Sequence, residues 1–308
     1  MYKAHFGLRE PPFRLTPDTS FFFACENYQE ALNTLLIAAQ NGEGFIKIIG
    51  EVGNGKTLLC RKFLATLRED AAKTPPKMNF VFAYLPNPYL EPRSLLLALA
   101  EDFRLALAPN ADQHEILKGL TKALLNFARE GKQVLVCLDE AQAIPLETLE
   151  VLRLLTNLET EKRKLMQVVL FGQPELDERL KQNAVRQLRQ RITFQYQLKS
   201  LKREEVARYL RHRLAVACYA GPQDIFTRPA VGAMRRVTGG TPRLINIVAN
   251  KAMLLAYGEG QHQVTARHVR WAAKDTPEAR RDWQPSLLGG LLALLMLAGA
   301  SIGWMMAQ

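Results

Sequence analysis

The chain has 308 residues, of which 48% are hydrophobic and 23% charged, and its formal net charge is +11 at pH 7. A chain of this length can form about two domains, and this composition excludes a wholly disordered protein. The positive charge favours acidic partners such as nucleotides, nucleic acid or anionic lipid. The four cysteines are far apart and form no C-x-x-C pair, which argues against a disulfide framework or a structural zinc site.

The first 24 residues are rich in phenylalanine and proline and lack the apolar core of a signal peptide. Proline prevents a continuous helix here, so we expect an extended arm that lies on an apolar surface. Two positions fit such an arm: over the adenine face of a nucleotide site, or on the edge of a domain. Residues 28–40 then repeat apolar side chains at helical spacing and end at Asn41-Gly42, which predicts a helix.

Residues 50–57 read GEVGNGKT and fit the phosphate-loop pattern G-x-x-x-x-G-K-[ST]. A buried strand is predicted before this loop, at residues 45–49, and a helix after it, at residues 58–68. In such a loop the backbone N–H groups hold a phosphate, Lys56 reaches the β/γ-phosphates of ATP, and the Thr57 hydroxyl can ligate Mg²⁺. The alternative is a glycine-rich turn before a helix. We expect nucleotide contacts from Gly50, Glu51, Val52, Gly53, Asn54, Gly55, Lys56, Thr57 and Leu58.

Beyond the loop, strands and helices are predicted to alternate up to residue 198. The predicted strands are residues 79–85, 133–138, 167–171 and 192–198, and the predicted helices are residues 93–107, 115–130, 145–159 and 185–191. Together with the strand before the loop, this makes a sheet of five strands.

Two acidic residues, Asp139 and Glu140, directly follow the strand at residues 133–138. That strand is apolar on both faces, as in a parallel sheet between helices. The carboxyl ends of such strands form the edge where ligands bind. Asp139 there suits an indirect hold on Mg²⁺, and Glu140 suits the polarisation of an attacking water. The alternative is a solvated acidic turn.

Gln173 follows the next strand and is expected beside the γ-phosphate, where its amide can hydrogen-bond the phosphate or the water. The alternative is a turn residue before Pro174. Farther on, nine Lys/Arg against two Glu occur between Arg186 and Arg213, a surplus of seven within the total charge.

An all-helical region follows, with helices predicted at residues 202–219, 228–237, 242–257 and 265–274. We expect Thr241 to cap the third of these helices, with Pro242 at its first position. Arg243 then lies in the first turn, where a cation opposes the helix dipole, and this placement points to an anionic partner such as phosphate. The alternative is a surface arginine.

The end of the chain contains no charged residue after Asp282. Its segment 287–307 has 21 residues, which at roughly 1.5 Å each span about 31 Å, the thickness of a bilayer core. A tryptophan lies near each end, and Arg280 and Arg281 precede the segment, which predicts that the soluble part faces the cytoplasm. The alternative is a buried C-terminal helix.

Five of these segments together resemble the AAA+ ATPases: GEVGNGKT at residues 50–57, DE at 139–140, FGQPEL at 171–176, LRQRI at 188–192 and GGTPRLIN at 239–246. The opening, FGLREPPF at residues 6–13 and TPD at 16–18, is most similar to the ExeA/GspA branch, ATPases of bacterial secretion and pilus machinery. The resemblance covers about residues 1–280. Longer members of this branch have a periplasmic peptidoglycan-binding region after the apolar segment. The domain arrangement expected here, which ends at the apolar segment, is similar to that of ATPases in MSHA pilus biogenesis.

The resemblance implies an α/β fold, a three-layer P-loop AAA+ domain with a parallel five-stranded sheet, followed by an α-helical lid and a C-terminal transmembrane helix. The expected divisions are an N-terminal arm with the first helix (1–42), an α/β nucleotide-binding core (43–200), a helical lid (201–280) and a membrane anchor (281–308).

The resemblance also implies roles for the residues around the loop. Lys56 and Thr57 match the Walker A ligands, and Asp139 and Glu140 match the Walker B pair. Gln173 is at the sensor 1 position, where many AAA+ proteins have asparagine.

Three arginines outside the phosphate loop and the Asp139-Glu140 pair also match family residues that act on the nucleotide. Arg191 or Arg189 resembles the arginine finger, which acts on the nucleotide of a neighbouring subunit, and we favour Arg191. Arg243 matches sensor 2 on the lid.

By this resemblance, the chain is expected to hydrolyse ATP with Mg²⁺ as a homo-oligomer, in a hexameric ring. It is expected in the bacterial inner membrane, held by one C-terminal helix, with its soluble domain in the cytoplasm. Its expected partners are envelope proteins of a type IV (MSHA-like) pilus or a type II secretion complex, and nucleic acid is not expected. The alternative, motivated by the basic stretch 186–213, is a DNA-binding AAA+ ATPase of replication-initiator or transposition-regulator type. A nucleotide-gated scaffold with little turnover is a third possibility.

Overall fold

The computed structural model describes residues 2–72, 79–86, 89–108, 110–159 and 164–280. The chain divides into two compact units. The first, which we name the sheet unit, is Thr16–Lys199; the second, the helical unit, joins Met1–Leu15 to the chain from Ser200, described as far as Arg280. The predicted arm of residues 1–24 is therefore divided between the two units.

The sheet unit is built on a five-stranded parallel sheet. Its strands are β1 (Phe45–Gly50), β2 (Phe80–Leu85), β3 (Gln133–Leu138), β4 (Met166–Gly172) and β5 (Ile192–Leu198). Their order is β2-β3-β4-β1-β5, and every neighbouring pair is parallel. The carboxyl ends of β1, β3 and β4 therefore meet at one edge of the sheet. The prediction of a parallel sheet with these five strands is confirmed.

The predicted helices are all present, with differences at their ends. Two short helices were not predicted, one at residues 175–180 and one at residues 2–5, where an extended arm was expected. The α-helices in the described residues are α1 (Tyr2–His5), α2 (Glu26–Gln40), α3 (Lys56–Ala71), α4 (Pro92–Asp102), α5 (Gln113–Arg129), α6 (Leu146–Thr156), α7 (Glu175–Leu180), α8 (Arg186–Arg189), α9 (Arg203–Val216), α10 (Arg228–Thr238), α11 (Pro242–Gly258) and α12 (Ala266–Lys274).

Both faces of the sheet are covered around β1, β3 and β4, because almost every residue of these strands is buried and successive side chains point to opposite faces. On one face, Val136 of β3 belongs to a buried cluster with side chains of α4, α5, α6 and α7. On the other face, Cys137 of β3 lies beside Cys60 of α3, and both thiols are buried. There too, Gln167 of β4 donates to the Ala39 carbonyl near the end of α2. This arrangement is the predicted three-layer domain.

The end of α4 differs from the prediction, which extended this helix to residue 107. The helix ends at Asp102, and Arg104 adopts a left-handed conformation with φ 55°. The N–H of Leu105 bonds the Ala100 carbonyl, and the N–H of Arg104 bonds the Glu101 carbonyl. These are the two hydrogen bonds of a Schellman motif. The sequence does not indicate this end, because glycine is the usual residue in that conformation and this helix uses arginine.

The first residues of the chain pack within the helical unit. The buried side chain of Arg213 in α9 donates hydrogen bonds to the carbonyls of Pro12 and Arg14. The ring of Phe13 contacts Phe226 edge to face, with 5.8 Å between centroids. Residues 2–15 thus lie on an apolar surface formed by the helical unit.

The predicted membrane span, residues 287–307, lies outside the residues that the structure describes. In the described ranges, which end at residue 280, no helix is both long and apolar enough to cross a bilayer. The membrane anchor therefore stays a prediction.

Candidate functional site

The loop after β1 turns sharply and leads directly into α3. Gly53 and Gly55 have φ angles of 81° and 80°, in the left-handed region that favours glycine. At Gly55, a side chain would also meet the ring of Tyr28, whose hydroxyl lies 3.3 Å from the position of the missing Cβ. The same hydroxyl donates a hydrogen bond to the Asn54 carbonyl. Glycine at these two positions permits the loop to curl in front of the first turn of α3.

The side chain of Lys56 turns back across this loop. Its ammonium donates to the Gly50 carbonyl at 2.7 Å and to the Glu51 carbonyl at 3.2 Å, and the residue is only 5% exposed. Burial lowers the pKa of this ammonium, and the carboxylates of Glu140 and Asp139 oppose that effect. A buried cation beside backbone N–H groups makes the loop attractive to phosphate.

The Thr57 hydroxyl donates a hydrogen bond to the Asp139 carboxylate, which joins the start of α3 to the end of β3. Asp139 is 2% exposed, and this burial raises its pKa, while the hydrogen bonds from Thr57 and from the Glu140 N–H oppose the rise. Hydroxyl and carboxylate oxygens are the ligands that Mg²⁺ prefers. The two side chains therefore fit a magnesium ion that is bound together with a nucleotide.

Glu140 is held by two amide side chains. Oε2 of Glu140 accepts hydrogen bonds from Gln142 Nε2 at 2.7 Å and from Gln173 Nε2 at 2.9 Å. Burial would raise the pKa of this carboxyl, but these two hydrogen bonds and the charge of Lys56 hold the pKa below its usual value. Glu140 is thus an ionised carboxylate at the edge of the sheet where Lys56, Thr57 and Asp139 lie.

The family model of the AAA domain matches residues 39–180, a range that contains the loop, Asp139, Glu140 and Gln173. The chain has an AAA-type P-loop fold. It is 39% identical over 306 residues to General secretion pathway protein A of Aeromonas hydrophila, in an alignment that covers 99% of this chain and 54% of that protein. The chain thus spans about half the length of this relative. The AAA match and this likeness support ATPase activity.

Solved structures share the fold at low sequence identity. The Aeropyrum pernix ORC2 protein, in its ADPNP–ADP complexes, has a TM-score of 0.60 and 20% identity, covering 85% of this chain and 72% of that one. The Aeropyrum pernix ORC1 protein in complex with DNA has a TM-score of 0.63 and 18% identity, covering 87% of this chain and 69% of that one. At this identity the likeness concerns the fold alone.

The remaining predicted loop residues of the AAA domain differ in exposure. Glu51 and Val52 are exposed, and Leu58 is half-buried in the first turn of α3. Asn54 is buried, and its side-chain amide donates to the Leu198 carbonyl at 3.2 Å, which ties the loop to the end of β5.

The predicted finger residues of the AAA domain lie away from the loop of their own chain. Arg189 is exposed at the end of α8, and Arg191 is half-buried just before β5. Because Ile192 pairs with Phe45 at the start of β1, Arg191 lies at the amino-terminal edge of the sheet, opposite the phosphate loop. The sheet unit therefore does not bring either arginine to Lys56.

Arg243 belongs to the helical unit and is exposed. It lies in the first turn of α11, the position that was predicted. Pro242 is at the first helical position, also as predicted. Thr241 is the N-cap residue, as predicted, although its side chain makes no capping hydrogen bond. Its backbone N–H instead bonds the Thr238 carbonyl in the turn that precedes the helix.

Sequence reasoning missed three residues that contact the site. Gln142 could have been found, because it follows Glu140 by two residues at the end of a strand. Tyr28 and Arg179 could not, because they reach the loop and the turn after β3 from α2 and α7, and only the packing brings them there.

Proposed function

We propose that the chain is a AAA+ ATPase that hydrolyses ATP to ADP and phosphate and supports assembly of a type II secretion or type IV (MSHA-like) pilus complex. Residues 281–308 would anchor it in the bacterial inner membrane, with the soluble part in the cytoplasm. The observation that carries the proposal is the convergence of Lys56, Thr57, Asp139 and Glu140 at one sheet edge. The identity to a general secretion pathway protein A supports the secretion role.

The proposed reaction is the attack of water on the γ-phosphate of ATP, in line with the leaving group. Lys56 would place its charge against the β/γ-phosphates. Because Oε2 of Glu140 already accepts two amide hydrogen bonds, Oε1 is the atom that would accept the proton of the attacking water. Thr57 and Asp139 would hold Mg²⁺ with the nucleotide, and this ion would supply further positive charge at the phosphate oxygens.

The roles of Glu140 and Lys56 can be separated by measuring ATP binding and phosphate release on the full chain in detergent. Glu140→Gln should bind ATP normally and lose turnover by about 10²-fold or more, because only the base is removed. Lys56→Ala should lose both binding and turnover. Glu178→Gln, an exposed carboxylate of α7 that pairs with Lys181, is the matched control and should behave as the wild type. Unchanged hydrolysis in Glu140→Gln would reject the assigned role.

The membrane anchor is tested by fractionation of cells that express the full chain or residues 1–280. We expect the full chain in the inner-membrane fraction after a high-salt wash, and the shortened chain in the soluble fraction. If the shortened chain remains with the washed membranes, residues 281–308 are not the anchor.

The oligomer is tested with the Glu140→Gln variant, which should retain bound ATP. We expect ATP and Mg²⁺ to convert it into a closed ring of six chains, measured by mass photometry. A variant that stays monomeric at saturating ATP contradicts the ring.

DNA binding is the second candidate, because the basic stretch 186–213 carries a surplus of seven positive charges and one fold neighbour is described in complex with DNA. However, this stretch crosses from the sheet unit into the helical unit after Lys199. Within it, Arg213 is buried and bonded to backbone carbonyls, and Arg211 pairs with Asp224. We therefore expect only weak duplex binding in a gel-shift assay. Tight binding whose affinity falls steeply with salt would favour DNA as the partner.

A further inference from the structure

Gln142 lies at the centre of the hydrogen bonds around Glu140. Its side-chain Nε2 donates to Glu140 Oε2 at 2.7 Å, and its Oε1 accepts from the backbone N–H of Gln173 at 3.0 Å. Gln173 in turn donates its own side-chain amide to the same Glu140 oxygen. One side chain thus joins the carboxylate after β3 to the backbone at the end of β4.

We propose that Gln142 is a positioning residue for the ATPase reaction, which holds the Glu140 carboxylate at a fixed place relative to Gln173. The inference rests on the proposed function, since it concerns the same site. Neither the pattern of the phosphate loop nor the pair Asp139-Glu140 assigns any role to this residue.

The chemistry of the amide group explains why glutamine suits this place. The position requires a donor toward the carboxylate and an acceptor toward an N–H at the same time, and a primary amide supplies both. Glutamate has no donor when ionised, and alanine has neither group. Asparagine has the same amide on a side chain one methylene shorter, so it can reach only one of the two partners without movement of the turn.

The backbone around Gln142 is itself held from α7. Arg179 donates one hydrogen bond to the Gln142 carbonyl at 2.8 Å and another to the Ile144 carbonyl. These two bonds span the short turn at Ala141–Ala143, which begins at the left-handed residue Glu140. The planar guanidinium can bind two carbonyls at once, which lysine cannot do with the same geometry.

A second contact fixes α7 itself. Asp177 of this helix forms an ion pair with Lys47, a residue in the middle of β1 that is nearly buried. Glu140 is therefore supported by Gln142, whose backbone is held by Arg179 of α7. The helix α7 is in turn held by β1, the strand that leads into the phosphate loop. Each of these links is a hydrogen bond or an ion pair between residues that the structure describes.

The test is steady-state kinetics of the full chain in detergent, combined with equilibrium binding of a fluorescent ATP analogue. For Gln142→Ala we expect kcat to fall at least tenfold, while KM and the Kd of the analogue stay within about threefold. Gln142→Glu should lose at least as much in kcat, because it cannot donate and adds a like charge beside Glu140. Gln113→Ala, an exposed glutamine at the start of α5, is the matched control and should keep wild-type kinetics.

A double-mutant cycle tests whether Gln142 acts through Gln173. If both amides hold one carboxylate, the loss in the double variant Gln142→Ala/Gln173→Ala should be clearly smaller than the product of the two single losses. Fully multiplicative losses contradict a shared action. Arg179→Lys should lower kcat less than Gln142→Ala, again at unchanged Kd.

Two outcomes of the kinetic test overturn the positioning role, and a third rejects the proposed function. A kcat of Gln142→Ala within twofold of the wild type excludes a positioning role. A structural role is indicated instead if kcat, ATP binding and melting temperature all fall together in both Gln142→Ala and Gln142→Met. Gln142→Met keeps the length of the side chain but lacks its amide, so the same kinetics can be measured on this variant if Gln142→Ala does not fold. A wild-type chain that binds ATP without turnover rejects the proposed function itself, which the variants alone do not do.

Discussion

Phe45 of β1 pairs with Ile192 of β5 at the amino-terminal end of the sheet, whereas Gly50 pairs with Leu198 at the opposite end. Arg191, directly before Ile192, is therefore separated from the phosphate loop by the length of a strand. At roughly 3.3 Å per residue this is about 17–20 Å, beyond the reach of an arginine side chain. An arginine at this position can act only on the nucleotide of another chain.

We predict that Arg191→Ala lowers kcat by about 10³-fold and leaves ATP binding intact, because only charge supplied in trans is removed. Mixing this variant with Glu140→Gln should restore activity. In the mixed oligomer, an intact site of the first chain meets an intact Arg191 of the second. The measurement is phosphate release across a titration of the two variants.

Arg189 provides the comparison for this experiment. It is exposed at the end of α8 and two residues farther from β5, so Arg189→Ala should keep more activity than Arg191→Ala. A larger loss in Arg189→Ala would transfer the finger role to Arg189. Mixed oligomers without any recovery would contradict action between subunits.

The central parts of this fold were predictable because they depend on local patterns. The apolar residues of each segment indicated all five strands, and the spacing of glycines before Lys56 indicated the loop. The end of α4 was not predictable, because Arg104 adopts a conformation that glycine usually supplies. The contacts of Tyr28 and Arg179 were not predictable either, because residues distant in sequence meet at the site only through helix packing.

The contact between Thr57 and Asp139 leads to a prediction on magnesium. Thr57→Ala and Asp139→Asn should each require a higher Mg²⁺ concentration for half-maximal turnover, by tenfold or more, because the first removes the hydroxyl oxygen and the second removes the negative charge that attracts the ion. Thr57→Ser, which retains the hydroxyl, should behave nearly as the wild type. The measurement is ATPase rate against free Mg²⁺, with EDTA as the zero point. Equal magnesium dependence in Thr57→Ala and the wild type would exclude the hydroxyl as a ligand.

Gly240 is predicted to tolerate no side chain. Its φ is +79°, and a Cβ there would lie 2.1 Å from the carbonyl oxygen of Leu201. The backbone N–H of Leu201 donates a hydrogen bond to the Gly240 carbonyl. We expect Gly240→Ala to lower the free energy of unfolding by about 3 kcal/mol, since strain and a backbone clash add. Gly258→Ala is the control, because nothing lies within 4 Å of its Cβ position at the end of α11.

The comparison between these two glycines is made by urea denaturation of the full chain in detergent. Gly258→Ala should be neutral or more stable by about 0.5–1 kcal/mol, because alanine is the better helix former. If the two variants have the same stability, the close approach of Gly240 to Leu201 is absent in solution.

Arg213 is predicted to hold the start of the chain on the helical unit. It is 4% exposed, its guanidinium lies over the ring of Tyr209, and it donates to the carbonyls of Pro12 and Arg14. Arg213→Ala leaves two carbonyls without these donors and opens a cavity under Tyr209. We expect a loss of about 2–4 kcal/mol in the free energy of unfolding, since unmade hydrogen bonds and lost packing both contribute.

Proteolysis separates this anchoring role from a general loss of stability. If Arg213 fixes residues 2–15, Arg213→Ala should be cleaved near Arg14 faster than the wild type under conditions where the rest of the helical unit stays folded. Arg213→Lys should be intermediate, because one ammonium cannot replace a guanidinium that bonds two carbonyls. Arg211→Ala, which removes an exposed pair with Asp224, should change neither stability nor cleavage by much. Equal cleavage rates in Arg213→Ala and Arg211→Ala would mean that the apolar contact of Phe13 with Phe226, and not the buried arginine, holds the segment in place.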